Sequence, residues 1–450
     1  MNSQRLALKY GRKAIQARLT RGHKPKTLLP PPREAGDNGP AIIRNALANP
    51  IESPRLSDIV TAGDKVVVVA SDCTRMTASD VFLPLLVDDL NRAGIPDRDI
   101  AIVIALGIHR SQTEEEHRSL LGDALYTRIR PVDHDARDSG NLVFYGTTSR
   151  GTEVAVNRIV AEADKVVLTG AVSPHYFAGF GGGRKSVMPG VCSLKANLQS
   201  HLLVFNPSPQ RGRNPAVRVA RLAGNPVHED MLEAARMVSP HFMLNTIVGT
   251  DKNILAAFAG NPIAAHEAAC KHYLENFAVA VTVRADLTIV SCGGYPKDVN
   301  FIQAHKAIHT AYSVTKPGGW MIVLAACSDG FGYPGFLEWF QFDTAAEFEE
   351  SLRANYEIYG QTAYATFEKA TSVNIVLVSE LEPAHVQQMN MRTAATFEEA
   401  YHLATKNLPV DFETYVIPDG ASTLFLTTDE YTASFESITG ERESEAREIS

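Results

Sequence analysis

Residues 65–75 read KVVVVASDCTR, and their reading decides the fold. Four valines and an alanine form an apolar run with no polar alternation. A half-exposed strand alternates, whereas a strand covered on both faces does not. The run then breaks into Ser71, Asp72, Cys73, Thr74 and Arg75. A buried strand that ends in a polar turn is expected in parallel sheets, where ligands sit beyond the carboxyl ends of the strands.

The pattern recurs along the chain. Further apolar runs span Ile100–Leu106, Lys165–Thr169, Leu287–Ser291, Trp320–Ala325 and Val373–Ser379. Helix-like segments lie between them, among them Ser79–Arg92 and Thr113–Leu121, the latter with Thr113 as N-cap before Glu114–Glu116. Strands alternating with helices predict an α/β protein with mainly parallel sheets flanked by helices. A chain of 450 residues exceeds one typical core. The division is expected near residue 275: an N-terminal α/β domain over 1–275, a C-terminal α/β domain over 276–430, and a charged tail over 431–450, ending ERESEAREIS and expected to be frayed. Pro25–Arg33 (PKTLLPPPR) reads as an extended surface arm.

Composition excludes several classes. Hydrophobic residues make up 45% and charged residues 21%, as in ordinary globular proteins. The net charge of −8 disfavours nucleic acid or an anionic membrane as partner. No apolar run approaches the roughly 18 residues of a membrane span. The start, MNSQRLALKYGRK, lacks the apolar core of a signal peptide. Five scattered cysteines without a CxxC pair suggest neither a disulfide framework nor a zinc ribbon. The expectation is a cytoplasmic protein acting on a small molecule, with its oligomeric state left open.

Unusual polar residues fall at four strand ends. These are Ser71–Arg75, Gly107-Ile108-His109-Arg110, Ser173-Pro174-His175 and Cys292–Asp298. One such loop reads equally well as a solvated turn. Four together, carrying Asp, Arg, two His and Lys, suggest one shared site. The third runs into HYFAGFGGGRKSVMPGVCSLKANLQSH at 175–201, which holds five glycines within twelve residues and one central lysine, Lys185. An amine in such a loop can bind phosphate or form a covalent bond. A phosphate-binding GxxxxGK[ST] loop nearly fits from Gly179 to Ser186, but Arg184 stands where the second glycine belongs. A nucleotide-dependent phosphotransferase is therefore one reading of this loop. Of the fourteen histidines, His109, His175 and His201 sit at the edges of the candidate site. His117, His228, His266 and His305 have no readable context.

Taken jointly, these motifs resemble the nickel-pincer lactate racemases and related 2-hydroxyacid racemases and epimerases. The resemblance rests on SDCTR at 71–75, GIHR at 107–110, PHYFAGFGGGRKSVMPG at 174–190 and GGYPKDVNFIQAHKA at 293–307. It implies two domains with the active site in the cleft between them. It implies a cofactor of nickel and pyridinium-3,5-bisthiocarboxylic acid mononucleotide, bound covalently to Lys185 and supplied by cofactor-synthesis enzymes, with His201 completing the nickel coordination. His109 and His175 match the catalytic pair. Arg75, Gln303 and Lys306 match substrate-binding residues. Asp72, Thr74, Gly182 and Arg184 match the cofactor's surroundings, where the glycines are expected to let a flat cofactor lie against backbone.

The reaction implied inverts C2 of a 2-hydroxyacid by reversible hydride transfer, with histidines handling the hydroxyl proton. The chain departs from the family at Gly181, where serine is common, and at Gly360-Gln361-Thr362, where Asp-Gln-Trp is found in lactate-specific members. The lost tryptophan implies a substrate larger than lactate: an aromatic or dicarboxylic hydroxyacid, or a sugar acid. A non-catalytic cofactor carrier is the third reading.

Overall fold

The computed structural model describes residues 4–29, 38–249, 251–420 and 423–440. The chain forms two compact units. The larger comprises Arg33–Pro207, Arg213–Glu275 and Ala433–Ser450; the smaller comprises Met1–Pro32, Ser208–Gly212 and Asn276–Thr432.

The larger unit is built on a six-stranded sheet. From edge to edge its strands are Ile254–Gly260, Phe242–Val248, Lys165–Ala171, Val66–Ser71, Ile100–Ala105 and Val132–Asp133. All neighbours are parallel except the first pair. Val66–Val69 are buried completely or nearly so, as the unbroken valine run requires. The helix Ser79–Arg92 covers one face with Phe82, Leu83, Leu86, Val87 and Leu90. Each such side chain contributes roughly 1.5–3 kcal/mol by leaving water. The helix Glu114–Leu121 starts where Thr113 predicted, through a reciprocal capping box with Glu116. From Val66–Ser71 the chain moves outward on one side to Ile100–Ala105, then returns to Lys165–Ala171 on the other side. The strand order therefore reverses between Val66–Ser71 and Lys165–Ala171, and such a reversal opens a crevice at the carboxyl edge of the sheet.

The smaller unit holds a second six-stranded sheet. Its order is Arg392–Thr393, Asn374–Val378, Thr315–Leu324, Ala285–Ser291, Thr414–Ile417 and Lys26–Thr27, all parallel. The last strand corrects the expected division, which kept residues 1–275 together. A hairpin of Gln4–Tyr10 and Lys13–Leu19 buries Leu8, Tyr10, Ala17 and Leu19 against Leu287, Ile289, Leu324 and Phe412 of this unit. Lys26–Thr27 then adds to its edge. The proposed arm thus begins as an edge strand, and its continuation at 30–37 lies outside the described residues. The expected tail is a helix over Thr428–Thr439 instead, while 441–450 lie outside the described residues. No helix among the described residues is long and apolar enough to cross a membrane.

Asp298 joins the hairpin to this sheet. Its buried carboxylate accepts from Gly11 N–H (2.6 Å) and Ala326 N–H (3.1 Å). Asp298→Ala strands both donors in an apolar interior. It is expected to cost roughly 2–4 kcal/mol in urea unfolding and to speed amide exchange at Gly11. A loss below about 0.5 kcal/mol would mean that the hairpin is held by its apolar face alone.

Candidate active site

Three of the four polar strand ends lie side by side in the larger unit. Asp72 and Arg75 follow Val66–Ser71, His109 follows Ile100–Ala105, and His175 follows Lys165–Ala171. These strands are adjacent and parallel, so one edge of the sheet carries all four side chains. The fourth strand end, Cys292–Asp298, belongs to the smaller unit.

Asp72 is 2% exposed and tied on both oxygens. Oδ1 accepts from the backbone N–H (2.7 Å) and the hydroxyl of Thr74, and Oδ2 lies 2.8 Å from His109 Nδ1. Burial alone would raise its carboxyl, but the bonds from His109 and Thr74 and the charge of Arg75 outweigh it. The net position is below the usual carboxylate range. An ionised Asp72 keeps the proton of neutral His109 on Nδ1 and leaves a lone pair on Nε2. Thr74 supports Asp72 directly.

The other site residues gather on one aromatic ring. Phe177, 5% exposed, packs edge-on against His175 (centroids 4.4 Å apart) and His201 (5.0 Å), and Lys185 Nζ lies 5.4 Å from its centroid. In the sequence Phe177 is one apolar residue of the glycine-rich stretch with nothing to mark it. It is the shared wall of three site residues.

Phe177 and His201 are buried here, His175 and Lys185 are half-buried, and basic side chains surround them. Burial, then the charges of Arg184 and Arg75, hold Lys185 well below an ordinary lysine. Burial and the nearby Lys185, Arg75, His201 and Arg184 do the same for His175. His201 falls to about 4, through burial and Lys185, against the opposing bond from its Nδ1 to Asn197 O (2.6 Å). That bond fixes the proton on Nδ1 and puts the lone pair on Nε2. At His175 the bias is opposite: Ala178 N–H donates to Nδ1 over a long 3.3 Å, which favours the proton on Nε2.

The glycine loop is packed against its own fold, contrary to the expectation that its glycines face a cofactor. A Cβ on Gly179 would meet Arg221 O at 2.2 Å, on Gly182 Asn245 Oδ1 at 2.3 Å, on Gly183 His266 Cδ2 at 2.6 Å and on Gly190 Ser186 O at 2.2 Å. Its backbone donors are also used. Gly181 N–H donates to Ser173 O, Gly183 N–H to Asn245 Oδ1, Lys185 N–H to Gly182 O and Gly190 N–H to Lys185 O. A phosphate cradle needs such donors aimed outward, so the phosphotransferase reading loses its basis.

Arg184, matched to the cofactor's surroundings, has a different job here. Its buried guanidinium donates to Ala178 O (2.6 Å) and Phe180 O (2.9 Å), and its Nη1 lies 3.0 Å from His266 Nε2, which is itself 2.9 Å from Gly181 O. It ties the loop into a ring and turns the next residue, Lys185, toward Phe177. His266, without context in the sequence, is the loop's backstop, and its helical spacing to Cys270 was the only signal available. Gln303 and Lys306 lie on the helix Phe301–Ser313 of the smaller unit. Asn300 Oδ1 caps Gln303 N–H (3.0 Å), and Lys306 Nζ donates to Gln303 Oε1 (2.7 Å).

A family model for the lactate racemase N-terminal domain matches residues 10–212, and one for the lactate racemase C-terminal domain matches 280–425. A lactate racemase of Thermoanaerobacterium thermosaccharolyticum is 34% identical over 389 residues, 85% of this chain and 89% of that protein.

The chain belongs to the lactate racemase family.

It is accordingly an isomerase. A second lactate racemase, from Lactiplantibacillus plantarum, is 32% identical over 84% of this chain and 89% of its own length. The solved lactate racemase apoprotein from T. thermosaccharolyticum matches with TM-score 0.84 and 31% identity, covering 94% of this chain and 100% of that one. A Thermotoga maritima structure at 16% identity, TM-score 0.61 and 88% coverage of this chain shares the fold.

The site fits the cofactor that the family implies. A neutral Lys185 amine is a nucleophile suited to an amide-type link, and the linked nitrogen carries no charge to bury. His201 offers an oriented imidazole, a suitable nickel donor, with Asn197 as its outer support. Among the described residues no group of three or more His, Cys, Asp or Glu is placed to hold a metal. Nickel at His201 would thus need donors from a bound organic group.

The fold requires neutral imidazoles, which sets a pH dependence. Burial and Arg184 bring His266 to about 3 in the folded chain, against roughly 6.5 when unfolded. Between these values the unfolded chain binds the extra proton. Stability is therefore complete above about pH 6.5 and declines as pH falls toward 3. The urea midpoint is expected to drop between pH 7 and pH 5, less steeply in His266→Gln; the same slope in both proteins would contradict this.

Proposed function

We propose that the protein inverts the hydroxyl-bearing C2 of a 2-hydroxyacid, using a nickel-pincer mononucleotide linked to Lys185 with His201 on the nickel. The observation that carries this reading is the convergence of Lys185, His175 and His201 on Phe177, at the same sheet edge as the Asp72–His109 pair. When bound, the cofactor supplies a hydride acceptor and donor, which avoids building a carbanion beside a carboxylate.

The chain's own residues supply the rest. Arg75 is exposed, yet its charge reaches Asp72, His175 and Lys185, so a substrate carboxylate paired with it lies beside the reacting groups. His109 Nε2 accepts the hydroxyl proton of one enantiomer, while Asp72 stabilises the imidazolium that forms. His175 serves the other enantiomer from the opposite side. To act as a base at Nε2 it moves its proton to Nδ1 and gives up the long Ala178 bond. The buried Phe177 wall limits the access of water to the transient 2-oxo acid. Gln303 and Lys306 are assigned to the substrate by the resemblance and act as a hydrogen-bonded pair. The cofactor-synthesis enzymes are the partners that load the protein.

The substrate is proposed to be larger than lactate. Support comes from Thr362 at the position matched to tryptophan. A panel of 2-hydroxyacids and aldonates should rank lactate below an aromatic, dicarboxylic or sugar acid; lactate as best substrate would refute this part.

Racemisation by loaded protein in D2O is expected to retain the C2 hydrogen, whereas steady deuterium uptake at C2 would rule out hydride transfer. His109→Ala and His175→Ala should each lower kcat by on the order of 10²–10⁴-fold with the Lys185 adduct intact. Full activity in both variants would remove them from the mechanism.

A further inference from the structure

Outside the acid–base pair, a second hydrogen-bond chain joins the three loops around it. Cys73 N–H, next to Asp72, donates to Gln112 Oε1 (3.0 Å). Gln112 N–H in turn donates to Asp133 Oδ2 (2.7 Å), and His117 Nε2 lies 2.8 Å from Asp133 Oδ1. Asp133 belongs to the edge strand paired with Ile104, so its position is set by the sheet. Gln112 is therefore anchored by its backbone to one strand end and holds the next-but-one strand end by its side chain.

A parallel brace comes from Glu116. Its carboxylate accepts from both Arg110 terminal nitrogens (2.8 and 2.7 Å) and Thr113 N–H (2.8 Å), and Cys73 Sγ lies 3.4 Å away. The segment that follows His109 is thus fastened twice to Cys73, the neighbour of Asp72 in the 72–75 turn. His109 itself is substantially exposed, with a side chain 38% accessible. Its orientation depends on keeping these two loops in register, and a displacement of about 1 Å in a catalytic group can cost about 10²-fold.

We propose that Gln112 is a positioning residue: its carboxamide, anchored through Asp133, clamps the 72–75 turn to the 107–112 loop and so keeps His109 Nδ1 on Asp72. Its catalytic consequence rests on His109 being an acid–base group, but the clamp does not. The test compares Gln112→Met, which removes the acceptor at similar size, with Gln112→Glu, which keeps an acceptor. The full chain without cofactor is labelled with ¹⁵N-histidine and observed at pH 8, with His109→Gln used to assign the signal.

The wild type and Gln112→Glu are expected to hold the His109 proton on Nδ1. Gln112→Met should show a mixture of both tautomers without loss of cooperative unfolding. In loaded enzyme Gln112→Met should lower kcat about tenfold, with KM changed less than twofold. An unaltered tautomer in Gln112→Met overturns the clamp. A shifted tautomer with unaltered kcat upholds the clamp and overturns instead the acid–base role of His109.

Discussion

The site depends on one buried charge, the guanidinium of Arg184. It is 3% exposed and faces carbonyl oxygens and an imidazole. Burying a cation this way is costly unless its N–H groups are met, and here they define the loop. Burial pulls the group down to about 10, still above neutral pH, and its terminal nitrogens meet Ala178 O and Phe180 O. Two consequences follow in sequence. Lys185, the next residue, is held well below an ordinary lysine by burial first and then by the charge of Arg184. His266, packed behind the loop, is held neutral as well. In the proposed function, the charge that builds the loop also favours the neutral amine that covalent attachment at Lys185 needs.

The sheet provides the second half of the arrangement. The reversal of strand order beside Val66–Ser71 brings the Asp72 turn next to the Lys185 loop, and the neighbouring strand adds His109. Asp72 and Asn197 do the same work at two places. Each fixes an imidazole proton on Nδ1 and leaves the lone pair on Nε2, which in the proposed function serves a substrate proton at His109 and nickel at His201. The environments differ as the roles require. Asp72 is a carboxylate and stabilises an imidazolium, whereas the Asn197 carbonyl orients a ring that must stay neutral.

Much of this was legible in the sequence, for identifiable reasons. The valine run announced a strand covered on both faces, and Thr113 with Glu116 announced a helix start, because both signals are local. Asp72, His109 and His175 stood out because unusual polar residues at strand ends have few structural uses, whereas Lys185 and His201 stood out through the glycine loop and its resemblance. The allegiance of residues 4–29 was not legible. A hairpin with alternating burial does not say which sheet it will cover, and Asp298, which holds its turn, lies 287 residues away. The glycines misled because a sequence shows missing side chains but not what fills their space, which here is Asn245, His266 and backbone carbonyls. Phe177 and Gln112 were missed because packing against three residues, or bridging two loops, leaves no periodic trace.

The most direct measurement is peptide mapping by mass spectrometry of protein produced with and without the cofactor-synthesis enzymes, alongside nickel analysis. The account predicts an adduct on Lys185 alone, with one nickel per chain, only in the loaded protein. An active, loaded protein with unmodified Lys185, or with the adduct on another lysine, would contradict it.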